Sequence, residues 1–249
     1  MTGRVDRTGN ASSLIDRRRL LSTGAAVLAV AGGSINARRL AALTGPEGAP
    51  APPPDVDLMA EHGVLKRVLL IYQEAARQVG NGQAPPVTAI RSGAEIIHDF
   101  IESFHEALEE GYVFPRLRDA GVLVSTVDTL LVQHARGREL TQLILEGSTP
   151  AAMRSDATRQ NVVEAVAAFV RMYQPHEARE DTVVFPAFRA MLGAEELNDL
   201  AATFADLQVR QFGAGAFATF VDRVAGIERA LGIYDLSEFT PSSVVRSTS

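Results

Sequence analysis

Five histidines and no cysteine set the chemical options of this 249-residue chain. Without thiolates, any metal chemistry falls to imidazole and carboxylate. Four of the histidines belong to an internal repeat. The segment His105-Glu106-Ala107-Leu108-Glu109-Glu110-Gly111-Tyr112-Val113-Phe114-Pro115 matches His176-Glu177-Ala178-Arg179-Glu180-Asp181-Thr182-Val183-Val184-Phe185-Pro186 in register. Each copy carries His-Glu, a Glu four residues after the His, and a closing Phe-Pro. Upstream, Glu61-His62 and Gln133-His134 form a second matched pair. Residues four apart on a helix share a face, with Cβ atoms about 5–6 Å apart. His105 with Glu109, and His176 with Glu180, can therefore each grip one ion. Single histidines, His62 beside one pair and His134 beside the other, bring the set to four His and two Glu for two ions. Carboxylates can bridge such ions, and coordination positions stay open for a small ligand. This donor set suits iron, manganese or zinc.

A site of this kind needs helices facing one another. Apolar residues recur at helical spacing over Leu58–Val79, and Gly80-Asn81-Gly82 with Pro85-Pro86 ends that run. Further runs cover Val87–Arg118, Val122–Leu145 and Asp156–Met191, with turn signals at Gly121 and at Gly147-Ser148-Thr149-Pro150. The expected fold is all-α: an up-down-up-down four-helix bundle of two pseudo-symmetric helical hairpins, followed by C-terminal helices near Ala194–Gln208 and Ala216–Leu231. The expected organisation is a signal peptide at 1–37, a Pro-rich linker at 38–57, the bundle at 58–192, and a helical extension with a polar tail at 193–249.

These residues resemble the hemerythrin-like HHE cation-binding domains, with His on the first helix, His-x-x-x-Glu on the second, His on the third and His-x-x-x-Glu on the fourth. The resemblance covers about Leu58–Leu192 and assigns the metal ligands to His62, His105, Glu109, His134, His176 and Glu180. Glu106 and Glu177, which directly follow the helical histidines, match positions that could be secondary ligands. A residue next to a helical ligand points about 100° away from it, however. The resemblance implies a non-haem di-iron centre, iron being favoured over zinc or manganese, that binds or reacts with oxygen, peroxide or nitric oxide. Peroxide turnover by the same centre, and a structural or storage role for the metal, are the alternatives. The chain departs from oxygen-carrying hemerythrins at Arg138, where those have a second His. It also places Glu180 at offset four where carriers have Asp at offset five, a position that Asp181 holds here.

Other residues read differently. His98 lies seven residues before His105, about 10 Å along a helix, and reads as an ordinary core or surface residue, with an access or proton-shuttle role as the minor alternative. Glu95-x-x-His98 and Glu102-x-x-His105 fit the ferritin-like Glu-x-x-His signature, but both fall on one helix and that fold needs two. Tyr72 and Tyr173 are expected near the site, chiefly as packing residues. Glu110, Glu195 and Glu196 are expected in solvent. Pro175 either bends a long fourth helix or marks the start of a new one.

The formal net charge is −6, although residues 1–39 hold seven Arg against only Asp6 and Asp16. An acidic body argues against a nucleic-acid partner. No disulfide-linked partner is possible. Asp16-Arg17-Arg18-Arg19-Leu20-Leu21 precedes the small-residue apolar run Ser22–Ala31, which is shorter than the ~18–20 residues a spanning helix needs. This head resembles a twin-arginine (Tat) signal, with Leu20 and Asp16 departing from the usual Phe and Ser or Thr. Cleavage sites stand at Ala29/Ala31 or at Ile35-Asn36-Ala37. The resemblance implies the Tat machinery as a partner and export to the periplasm or cell exterior, with membrane tethering if the signal stays uncleaved.

Overall fold

A computed structural model describes residues 51–241 of the chain. The Tat-like head, the linker up to residue 50 and the last residues of the polar tail, 242–249, lie outside the described residues. Among the described residues every regular element is helical.

Helix α1 spans Pro54–Gly80. It starts ahead of Leu58 because Pro54 suits a first helical position, where no N–H is needed, and Asp55 and Asp57 favour the positive helix end. The last proline of the Pro-rich segment is thus helical. Gly82, with φ +77°, and Pro85-Pro86 separate α1 from the next helix. Helix α2 runs over residues 87–119, α3 over Val124–Gly147, and α4 over residues 156–191. Ser155 caps α4, its Oγ accepting the Thr158 N–H at 3.3 Å. Helix α4 is continuous through Pro175, so the long-helix reading of that residue holds.

Helices α2 and α4 share an irregularity. Each widens into a π-helical turn, at Glu109–Val113 and Glu180–Val184, closed by i→i+5 bonds from Phe114 N–H to Glu109 C=O and from Phe185 N–H to Glu180 C=O. The Phe-Pro pairs explain them. Pro115 and Pro186 have no N–H for the α ladder, and their rings would collide with the carbonyl four residues back. One extra residue in the turn removes both conflicts. A longer π stretch, Ile97–His105, precedes the first of these in α2.

Helices α1 to α4 form a ring in which α1 packs on α2 and α4, and α3 packs on the same two. Leu65, Val68, Phe100, Phe114, Phe169 and Phe185 are among the buried apolar residues between them. Helices α5 (Ala194–Phe212) and α6 (Ala216–Leu231) pack chiefly on the α1–α2 hairpin. There Phe220 stacks on Phe100 with centroids 4.3 Å apart, and Arg67 Nε donates to Glu228 at 2.9 Å.

Candidate metal centre

His62, His105, Glu109, His134, His176 and Glu180 converge at mid-bundle, each 3% exposed or less. They fall into two groups of ligand atoms, His62 with His105 and Glu109, and His134 with His176 and Glu180. The carboxylates join the groups. Glu109 sets Oε1 3.5 Å from His105 Nε2 and Oε2 3.4 Å from His134 Nε2. Glu180 Oε2 lies 3.1 Å from His176 Nε2 and 3.4 Å from His62 Nε2. Each carboxylate thus lies within 3.5 Å of an imidazole from both groups.

The imidazoles are turned to present Nε2 inward because every Nδ1 has a partner on its other side. His62 Nδ1 meets Asp181 Oδ1 at 2.7 Å, and His134 Nδ1 meets Glu110 Oε1 at 2.9 Å. His105 Nδ1 meets Glu61 Oε2 at 2.9 Å, and His176 Nδ1 meets Gln133 Oε1 at 2.9 Å. A neutral imidazole that donates from Nδ1 keeps its Nε2 lone pair for a metal. The Phe of each Phe-Pro pair completes the frame, Phe185 stacking on His62 and Phe114 on His134. Each repeated motif therefore builds the surroundings of the histidine on the opposite hairpin.

The interior face is short of hydrogen-bond partners. Both oxygens of Glu109, both of Glu180 and Nε2 of His134 are buried without one. Buried polar atoms cost about 1–3 kcal/mol each when unpaired, so a cluster of five is unusual in a relaxed interior. His62 and His105 bring their Nε2 atoms to 3.0 Å. Cations between these groups would satisfy all of them at once, and the residues fit the two-ion donor set.

The hemerythrin HHE cation-binding domain profile matches residues 54–151 and again 125–231. The chain belongs to the hemerythrin HHE cation-binding domain family. Membership implies cation binding, and the two overlapping matches, which share α3, follow the internal duplication. Similar proteins include uncharacterized proteins of Mycobacterium bovis and of two strains of Mycobacterium tuberculosis. Each is 51% identical over 186 residues, covering 75% of this chain and 73% of the relative. No solved structure matches.

Around the hemerythrin-type centre stands a layer of charge. Arg138, at the position where oxygen carriers have a histidine, lies 2.7 Å from both Glu106 Oε2 and Glu110 Oε1. Its counterpart in the repeat, Lys66, lies 3.2 Å from Asp181 Oδ2 and 3.9 Å from Glu177 Oε1. Glu106 also accepts from Tyr173 Oη at 2.7 Å. Glu106 therefore sits behind His134, committed to Arg138 and Tyr173, while Glu177 has only the distant Lys66 and a buried Oε2 without a partner. Glu106, Glu110 and His134 do form a third acidic grouping, but Arg138 already neutralises it. Glu110, expected in solvent, is instead half-buried against His134, whereas Glu195 and Glu196 are exposed.

His98 is apart from the centre, 60% exposed and 3.4 Å from Glu102. Glu95 of the ferritin-like signature pairs with Arg91 at the surface. Tyr72 is buried against Phe169, away from the ligands, with its hydroxyl unpartnered. The partners that sequence reasoning passed over as second acids, Glu110 above all, had a visible signal in the Phe-Pro pairs that force a wide turn beside them.

Titration follows the same geometry. Burial pulls His62 down, but its hydrogen bond to Asp181 and the Glu180 carboxylate 3.4 Å away prevail and raise it to about 9. His105 is driven well up despite its burial, chiefly by Glu109 and then Glu61. Glu180, although fully buried, is held far below the usual carboxylate range by His176 and His62. Without an ion, protons on His62 and His105 compensate the carboxylates beside them, and metal would take over that role.

Proposed function

We propose that this chain holds two iron ions as a non-haem di-iron centre on His62, His105, Glu109, His134, His176 and Glu180, and that the centre binds or reacts with oxygen, peroxide or nitric oxide. One observation carries the reading: four Nδ1-anchored imidazoles and two doubly unpaired carboxylates face a common interior. Bound iron would supply a Lewis-acidic, redox-active pair with positions open to a small ligand. The protein's part is to aim Nε2 of each histidine inward by holding its Nδ1. Glu109 and Glu180 span both positions, and the apolar walls of Phe114 and Phe185 exclude bulk water.

The test is metal content per chain after anaerobic purification, with the visible spectrum followed as oxygen is admitted and removed. Two irons and an oxygen-dependent colour support the reading. Sustained peroxide loss with iron retained would make the chain a peroxide-decomposing enzyme. A colourless zinc protein that loses its fold to a chelator would make the metal structural.

We also propose that the chain is exported by the Tat route through Arg17-Arg18. No described helix is long and apolar enough to cross a membrane. Cell fractionation tests this: changing Arg17 and Arg18 together to Lys should leave the protein in the cytoplasm, and unchanged export would refute it.

A further inference from the structure

Beyond α6 the chain forms a small, well-defined knob. Gly232, with φ +74°, ends the helix in the left-handed region, and the Ile233 N–H closes the stop on Glu228 C=O at 2.9 Å. Arg229 holds the Tyr234 ring, its guanidinium carbon 4.1 Å from the centroid, and Asp235 Oδ1 accepts the Ser237 N–H at 2.9 Å. These contacts fix a single 3₁₀ turn, Leu236–Phe239. With three residues per turn, positions i and i+3 eclipse. Leu236 and Phe239 accordingly share one edge, and Asp235 and Glu238 the next. The apolar edge faces water, Leu236 being 81% exposed and Phe239 53%. Scattered apolar residues at a surface are ordinary, whereas two held side by side on a capped turn form a ready-made contact.

A groove of matching chemistry lies between the start of α2 and the end of α6. It measures about 450 Å³ and is walled by Pro86, Val87, Ile227 and Leu231, with Gly226 and Ala230 too small to fill it. A Cβ built on Gly226 meets nothing within 4 Å. Arg223 also lines the groove, and its acidic neighbour Asp99 is 3.6 Å away. The groove would therefore take an apolar edge flanked by an acid, as Leu236 and Phe239 are flanked by Glu238. The knob is exposed and so does not fill the groove of its own chain. The two lie near each other, however, because Leu236 follows Leu231 by five residues, a span of at most about 18 Å. A surface that carries both halves of one contact is self-complementary about a two-fold axis.

We propose that this face is a dimer interface, in which the Leu236–Phe239 turn of each copy seats in the α2–α6 groove of the other and Glu238 pairs with Arg223 across the two-fold axis. The fixed turn keeps the ordering cost of association low. Two such contacts make a small interface, in the class of weak, reversible association. No ligand of the metal centre takes part, so the dimer and the di-iron reading fail independently.

Sedimentation equilibrium of the full chain tests this, the mass climbing from one chain toward two as concentration rises. Changing Leu236 and Phe239 together to Ser, at two exposed sites that the fold does not need, should weaken dimerisation by about tenfold or more. Glu238→Arg and Arg223→Glu should each weaken it, and the two combined should restore it. The chain has no cysteine, so Leu236→Cys with Ala230→Cys should oxidise to a covalent dimer without competing thiols. A single-chain mass at every concentration overturns the inference, as does a dimer indifferent to the Leu236 and Phe239 changes. A bridge formed only within one chain would show that the groove takes the chain's own end, and a monomer that carries a lipid in native mass spectrometry would show a small-molecule occupant; either result also overturns it.

Discussion

Asp181 Oδ1 lies 2.7 Å from Nδ1 of His62, while its chain neighbour Glu180 lies 3.4 Å from Nε2 of the same ring. Consecutive residues of an α-helix point about 100° apart. The π turn at Glu180–Val184 packs more residues into the turn and narrows that angle. Glu109 and Glu110 repeat the arrangement at His134, at 3.4 Å and 2.9 Å. The widened turns thus give each motif two acids for one ring, one toward the metal face and one behind it.

Removing the rear acid should loosen the metal without removing a ligand. Asp181→Ala leaves all six ligands in place but frees His62 to rotate and lowers its basicity. The expected loss is about 10–100-fold in metal affinity, measured by competition with a chromophoric chelator. An affinity within twofold of the parent would mean that Asp181 does not orient His62.

Removing the helical ligands should go further. His105 and His176 each meet both a bridging carboxylate and an outer partner. Changing both to Ala should abolish bound metal, as counted by elemental analysis. Full retention in a folded double variant would sink the ligand assignment.

The protonation of His62 makes metal loading depend on pH in a definite direction. Burial lowers its pKa, but Asp181 and Glu180 raise it to about 9, above the value of 6.5 for a free imidazole. For a group raised in the folded state, the stabilising contribution is complete below the unfolded pKa and is lost as pH climbs through the folded one. The metal-free chain should therefore lose this contribution between pH 6.5 and 9, seen as a falling Tm. A metal needs the neutral ring, so loading at pH 7 should release protons, and fewer of them above pH 9. An indicator dye in weak buffer reads the release directly. Loading at pH 7 with no proton release would contradict the raised value.

The legibility of the centre in the sequence was uneven for physical reasons. His105 with Glu109, and His176 with Glu180, were readable because i,i+4 spacing fixes a shared face and the duplication repeats it. The bundle was readable from apolar periodicity, since α1 to α4 are long and amphipathic. Glu110 reads as solvated because it belongs to an acidic run, whereas it lies on the widened turn before Pro115, against His134. Periodicity also tells which face of a helix is buried but not against what. The segment that became α5 was therefore visible as a helix, while its place over Glu61 and Phe104 was not. Arg138 was seen as a missing histidine, and only the structure shows it clamping Glu106 and Glu110.

Two glycines provide a last contrast, one carrying the site's packing and one carrying nothing. Gly137 lies against Tyr173, and a Cβ there would fall 2.0 Å from the phenolic oxygen and 2.9 Å from the ring. Tyr173 cannot yield easily, being stacked on Phe169 at 4.3 Å and bonded to Glu106 at 2.7 Å. Gly137→Ala should therefore displace the ring, break the bond to Glu106 and cost about 1–3 kcal/mol. Gly63, beside His62 on α1, has nothing within 4 Å of a built Cβ. There alanine's better helix propensity should win, stabilising the fold by up to about 1 kcal/mol. Chemical denaturation of the two variants separates the outcomes by sign. If Gly137→Ala proved as stable as the parent, Tyr173 would not be held in place as the structure shows, and its link to the layer behind His134 would fail with it.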